Sequence, residues 1–411
     1  MHASQHSIVA AAAMAAVSAL VLSGCLGETP PSTATEPTTS AAASAATAPF
    51  DPALRAELEE KLDDGFAASG MPGVVVGLWI PGQEEWVAAR GVSDLETGAP
   101  MDRANQSKIG SVTKTIVVQL ALQIIGEGLG GLTLDDTIDT WYPDFPLADQ
   151  ITLRMLMNMS SGIGPPGDAQ LDRICGDPYS TITPDEVIAI GATTPREEYA
   201  PGDGETYSGY NTFLLGRILE RTTGTDLATL IDERLLQPLG MARSRFAPDA
   251  VLTEPFNRGY SGFCAGRPHP IDTTDWTNHE AWAAGAMLST LDDLHTWGLA
   301  LGEGFGLTPE MRAARVDDRA PVEAPPGWWY GLGAAVRLDP ESGCLLELNH
   351  SGTEPGYAAH VHYFEGSGAV LALIGNGDGG TGEVFAEVLR PVVGALPESV
   401  AATSSTACLS E

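Results

Sequence analysis

Positive charge is what this chain has least of. Its 411 residues carry 21 Lys and Arg against 54 Asp and Glu, a formal net charge of -33 at pH 7. Phosphate backbones are bound by basic stripes, so nucleic acid is excluded as a partner. Lysine is scarcer still, with Lys61, Lys108 and Lys114 the only three, so each position is informative. The one leader-like apolar run, residues 8–22, is too short to span a bilayer, and no later segment is longer. No CxxC or Cys/His cluster has zinc spacing. His360 and His362 would share one face of a strand, but no third ligand accompanies them, so no metal is expected. The glycine-rich stretch 375–382 lacks the lysine and Ser/Thr of a phosphate loop, and no G-x-S-x-G elbow is present. A hydrophobic content of 43% excludes a disordered chain despite the acidity.

What is present begins with an export pattern. Residues 1–24 read as a signal peptide, and Leu22-Ser23-Gly24-Cys25 resembles a bacterial lipobox, although the leader has His2 and His6 but no Lys or Arg. Lipidation at Cys25 would tether the chain to a membrane, giving an outward-facing cell-membrane lipoprotein; the alternative is ordinary secretion. Residues 25–49 are Thr, Ser, Ala, Pro and Glu with almost nothing to bury, a flexible linker. Four further cysteines, Cys175, Cys264, Cys344 and Cys408, suggest two disulfides with three possible pairings in an exported chain.

Periodicity predicts a helix over 51–69, strands over 73–80 and 85–89, and a helix over 111–126 that is apolar nearly all round and therefore buried. Helical stretches, including 212–222 and 226–236, run to about 301. Strand-like runs follow at 330–338, 345–349, 357–364 and 369–376, then a helix over 382–396. Strands at both ends with helices between imply an α+β fold. The expected division is a sheet domain from 50–135 and 302–398, a helical insertion at 136–301, and a tail at 399–411.

The chemistry concentrates in Gly110-Ser111-Val112-Thr113-Lys114-Thr115. A serine hydroxyl attacks poorly at neutral pH without a base beside it. Positions i and i+3 share a helix face, which puts the Lys114 amine next to the Ser111 hydroxyl. Burial of that helix would desolvate the amine and make it usable as a proton carrier. Ser111 would also sit at the positive end of the helix, where its N–H helps hold an oxyanion.

With these residues the chain resembles the serine β-lactamase and penicillin-binding family, in particular its class C β-lactamase and actinomycete-type D-alanyl-D-alanine carboxypeptidase branch. The resemblance spans Pro72 to Leu396 and includes Gly131 to Asp136, Ile151 to Gly162 and Pro201-Gly202. It implies an antiparallel sheet flanked by helices with a helical insertion. Tyr207-Ser208-Gly209 falls on the family's Tyr-x-Asn motif, so Tyr207 inherits a proton-relay role, while Gly209 stands where an asparagine is usual and Asn211 is a candidate substitute. His350-Ser351-Gly352 falls on the third motif, with Gly352 allowing close approach of substrate and the N–H of Thr353 joining that of Ser111 in an oxyanion hole. Histidine rather than lysine at 350 tilts the resemblance toward carboxypeptidases and esterases. The Thr353 hydroxyl and Arg337 match positions that hold a substrate's terminal carboxylate. Cys344 resembles a half-cystine tied to the chain's end, implying Cys344–Cys408 and leaving Cys175–Cys264. The expected function is an extracytoplasmic serine hydrolase acting through an acyl-enzyme without metal or cofactor, D-alanyl-D-alanine carboxypeptidase-like, on a small peptide, ester or β-lactam. The alternatives are an esterase or class C-like β-lactamase with the same site, and a non-catalytic penicillin-binding sensor or scaffold.

Overall fold

The computed structural model describes residues 47–264, 270–323, 327–378 and 384–401, with only the backbone for 384–387. The expected leader, Cys25 and Cys408 lie outside these residues. Helix α1 (Pro52–Ser69) begins where the Asp51 carboxylate accepts the N–H of Ala53 at 2.8 Å, and ends at Gly70 with φ 65°. Strands β1 (Gly73–Trp79) and β2 (Trp86–Gly91) form a hairpin. The chain then leaves the sheet and returns in β3 (Trp328–Tyr330), β4 (Ala335–Leu338), β5 (Leu345–Glu354), β6 (Tyr357–Phe364) and β7 (Ala369–Gly375). Strand order is β2-β1-β7-β6-β5-β4-β3 and every pair is antiparallel, with β1 against β7 (Val76 opposite Leu373) joining the two halves.

Both faces of this sheet are covered, which is why β1 and β7 read as continuous apolar runs instead of alternating ones. Successive side chains still point to opposite faces. Val74, Val76 and Leu371 face α1, which packs with the backbone of a C-terminal helix, Val384–Gly394. Val75, Ala372 and Ile374 face the main core, which contains helix α2 (Val112–Gly126). Every α2 residue from Val112 to Ile125 is buried. Three more helices matter below: α3 (Gly167–Gly176), α4 (Gly209–Thr223) and α5 (Leu291–Glu303). Helix α5 packs directly on β6 and β7, with Gly298 fitted against Val361 and Val370.

The architecture is the expected α+β one. Two strands differ in detail. The run 330–338 is two strands, because Gly331 and Gly333 (φ 80°) let the chain reverse between them. Strand β5 continues past its apolar stretch to Glu354, since backbone pairing with β6 (Thr353 opposite Ala358) does not depend on side-chain polarity. A disulfide joins Cys175 on α3 to Cys264. Cys344 is disulfide-bonded too. No helix among the described residues is long and apolar enough to cross a membrane.

Candidate active site

Gly110 adopts φ 48°, a turn that lets α2 start immediately after it with Ser111 as the N-cap. N-cap serines usually spend their oxygen on a backbone N–H of the first turn. Ser111 does not. Its hydroxyl instead accepts a 2.9 Å hydrogen bond from the Lys114 amine, which also donates to the Ala284 carbonyl at 2.8 Å. Lys114 is 2% exposed, so this contact lies in the protein and not in bulk water.

Strand β5 crosses the start of α2 at a backbone-to-backbone contact made possible by two glycines. A Cβ on Gly110 would stand 2.6 Å from the Thr353 nitrogen; one on Gly352 would collide with the Ile109 carbonyl and stand 2.8 Å from the Ser111 nitrogen. Absent both side chains, the peptide units of Ser111 and Thr353 lie side by side. Two N–H groups in such a position are what an oxyanion requires.

Tyr207 reaches the same point from the segment before α4. That segment is tied down by Gly202 N–H to Ser160 O (2.8 Å), Thr206 N–H to Met159 O (2.9 Å) and the Ser208 hydroxyl to Gly164 O (2.9 Å). The Tyr207 ring covers the Lys114 ammonium at 4.9 Å from its centroid, while no hydrogen bond joins its hydroxyl to Ser111 or Lys114 among the described residues. His350, 5% exposed, lies edge-on to Tyr330 and tilted against Tyr207. Its Nδ1 is 2.5 Å from the Ser351 carbonyl, which can only accept, so Nδ1 carries the proton and Nε2 accepts from the Tyr330 hydroxyl at 2.9 Å. Burial, helped by the charge of Lys114, pushes the imidazole down to about 4 and keeps it neutral at pH 7.

Two cavities meet at Ser111, Tyr207 and Thr353. One, of about 440 Å³, is walled by Tyr330, Asn349, His350 and Ser351. The other, of about 420 Å³, runs past Lys114 and Gly209 to Leu171, Ile174, Val187, Phe213 and Phe263. Its lining also contains three charged residues that sequence reasoning gave no role, Lys108, Glu280 and Glu354. Lys108 is 1% exposed; its ammonium donates to the carbonyls of Trp276 (2.7 Å) and Thr273 (3.3 Å) and lies 5.3 Å from the Tyr357 ring centroid. Burial lowers it to about 8 against the pull of Glu354. Glu354 is itself raised to about 7 by burial, with Lys108 and Lys114 opposing. The scarcity of lysine was the available signal for Lys108. Glu354, next in sequence to Thr353, carried none.

Ser111, Lys114, Tyr207, His350, Gly352 and Thr353 thus converge. Arg337 does not join them. It pairs with Glu347 at 3.1 Å and covers Trp328. Register places it opposite Glu347, six residues and roughly 20 Å along β5 from Thr353. Glu347 holds it within a buried network that includes His362 (2.5 Å) and Asn349 (2.9 Å). Asn211 is likewise turned away: its amide oxygen accepts from Ser161 (2.6 Å) in the core and its nitrogen faces the Met159 sulfur, so it does not replace the amide absent at 209.

The match to known proteins agrees with this geometry. A family model described as Beta-lactamase fits residues 56–390. Over 339 residues the chain is 29% identical to Esterase EstB of Burkholderia gladioli, an alignment covering 73% of this chain and 84% of that protein. It is 26% identical over 367 residues to Penicillin-binding protein 4 of Amycolatopsis lactamdurans, covering 85% and 91%. The solved D-amino acid amidase from Ochrobactrum anthropi SV3 superposes with a TM-score of 0.70 at 26% identity, covering 84% of this chain and 99% of the amidase. With a family model spanning most of its length and the motif residues gathered at one point, the chain belongs to the beta-lactamase family of serine hydrolases.

Proposed function

We propose that this protein is an exported hydrolase that cleaves esters or amides through an acyl-enzyme on Ser111. The observation that carries the reading is the 2.9 Å bond from Lys114 to a serine hydroxyl left free of its capping duty. With the Lys114 side chain in its neutral amine form, Ser111 Oγ attacks the carbonyl carbon, its proton passes to that amine, and the carbonyl electron pair moves onto oxygen beside the Ser111 and Thr353 N–H groups. Collapse expels the alcohol or amine, which takes the proton from Lys114 through the Tyr207 hydroxyl. Water then attacks the acyl carbon, returns a proton to Ser111 and releases the acid.

Two observations favour ester or simple amide substrates: Arg337 is engaged by Glu347, and the EstB relative is named an esterase. A second reading, D-alanyl-D-alanine carboxypeptidase, is supported by His350 and Thr353 in the cavity shared with Ser111, and by similarity to a penicillin-binding protein. Purified protein offered a nitrophenyl acetate, a D-Ala-D-Ala peptide and a fluorescent penicillin separates them. Ester turnover that Ser111→Ala lowers by at least about 10⁴-fold is expected. D-alanine release without ester turnover moves the answer to carboxypeptidase, and penicillin labelling without turnover to a sensor. Lipid attachment at Cys25 belongs to the same proposal, and metabolic palmitate labelling that persists in Cys25→Ala would refute it.

A further inference from the structure

We infer that glycine at position 209 opens the 420 Å³ cavity beside Ser111 to the acyl part of the substrate, so that the enzyme prefers acyl groups ending in a bulky hydrocarbon, a medium alkyl chain or an aromatic ring. The inference rests on the acyl-enzyme reading above.

Gly209 is the first residue of α4 and lines the cavity between Lys114 and its deeper part. A Cβ there would just touch the Cβ of Ala284, at 3.4 Å. The carbonyl of that same Ala284 accepts from Lys114, so the passage beside the reacting atoms is bounded by Gly209, Ala281 and Ala284. A larger side chain at 209, a lining position, would take up cavity space beside Ala284, whereas glycine leaves it open. Beyond it the walls are Leu171 and Ile174 of α3, Val187, Phe213 of α4, Phe263 and Trp276. A volume of this size lies within the range of about 300–1,000 Å³ typical of small-molecule sites.

Two charged groups of the lining are engaged by the protein itself, while the buried Nδ2 of Asn278 has no hydrogen-bond partner among the described residues. Glu280 receives two bonds of 2.9 Å from Arg173, and Lys108 gives its protons to two carbonyls. Leu171 and Ile174 differ: α3 has no fully buried residue, so these two are apolar side chains still short of cover. An occupant would supply it. The wall they form is held across the cavity by the Arg173–Glu280 pair and by Cys175–Cys264, next to Phe263.

The chemistry assigns the occupant. Negative charge develops on the carbonyl oxygen and on the leaving atom, never on the acyl hydrocarbon. The cavity of Asn349, His350 and Ser351 therefore suits the leaving group, and the apolar one suits the acyl group.

The test uses nitrophenyl esters from acetate to octanoate, a second series of acetates with lengthening alcohols, and n-alkylboronic acids from methyl to hexyl, whose binding is read by calorimetry without turnover. In the wild type, kcat/KM and boronate affinity are expected to rise about fourfold per methylene until the cavity is full. The alcohol series stays flat. In Gly209→Asn the octanoate-to-acetate ratio falls at least tenfold, and Leu171→Trp, at a half-exposed wall position, lowers the same ratio. A flat acyl series, a rising alcohol series, or an unchanged ratio in both variants overturns the inference. Esters left intact while boronates keep a length preference that Gly209→Asn removes would sink the hydrolase reading and retain the pocket. Acetate turnover that depends on Ser111 with no length preference in either assay would do the opposite.

Discussion

The two cavities that meet at Ser111 are nearly equal in volume and opposite in construction. The polar one is made by strands. There β5 presents backbone and alternating side chains in fixed register, and the Ser351 carbonyl holds His350 in one tautomer while Tyr330 donates to its Nε2. The other is made mostly by helices and loops, with Leu171, Ile174, Val187 and Phe213 drawn from three separate segments and Lys108, Thr353 and Glu354 from strands. A strand edge fixes polar atoms in the positions a reaction needs. Helical walls set how much hydrocarbon fits. The strand wall and the helical walls can thereby change separately, with Ser111 of α2 common to both cavities.

The largest effect that probes this separation comes from the shared point. Gly352→Ala must push β5 away from Ile109 and Ser111. Losing one oxyanion donor costs about 10²–10³ in kcat, and this variant is expected to lose that much for every ester while its acyl-length ratio stays at the wild-type value. A changed ratio would show that the cavities are not independent.

Acid titrates the two sides in opposite senses. His350, at about 4 in the folded chain against an ordinary 6.5, is protonated first in the unfolded chain. Acidification through that window therefore removes stability, up to about 3 kcal/mol. Glu354, at about 7 against 4.5, is protonated first in the folded chain, so acidification from 7 to 4.5 adds stability. The two offset each other between about pH 4.5 and 6.5. Relative to wild type, His350→Gln should gain in denaturant midpoint as pH falls across this range, and Glu354→Gln should lose. Midpoints that track wild type at every pH would contradict both assignments.

The smallest effect on activity is expected at Arg337, outside both cavities. Arg337→Ala leaves Glu347 with His362 and Asn349, at a cost of about 1–3 kcal/mol in stability. Ester kcat/KM should remain within about threefold. A hundredfold loss confined to peptides with a free carboxylate, at unchanged Tm, would return Arg337 to substrate binding.

What could be read from the sequence was what depends on local spacing. Ser111 and Lys114 are one helical turn apart, the apolar run 369–376 forms a strand, Ala369–Gly375, buried on both faces, and the three motifs keep family order. What could not be read depends on register and on contacts between distant segments. Arg337 lies thirteen residues before His350, yet antiparallel pairing sets it opposite Glu347 instead. Asn211, two residues after Gly209, is carried by the helical turn into the core toward Ser161. The apolar cavity has no motif, because its walls come from positions that are unremarkable one at a time.

The shortage of lysine has a practical corollary. Two of the three lysines, Lys108 and Lys114, are 1% and 2% exposed, while the Lys61 side chain is 36% exposed on α1. Helix α1 covers the face of the sheet opposite the core that holds α2, with the sheet standing between Lys61 and Ser111. Among side-chain amines, then, the folded protein offers a single handle: an amine-reactive dye or resin would attach at Lys61 and leave the Ser111 cavities turned outward.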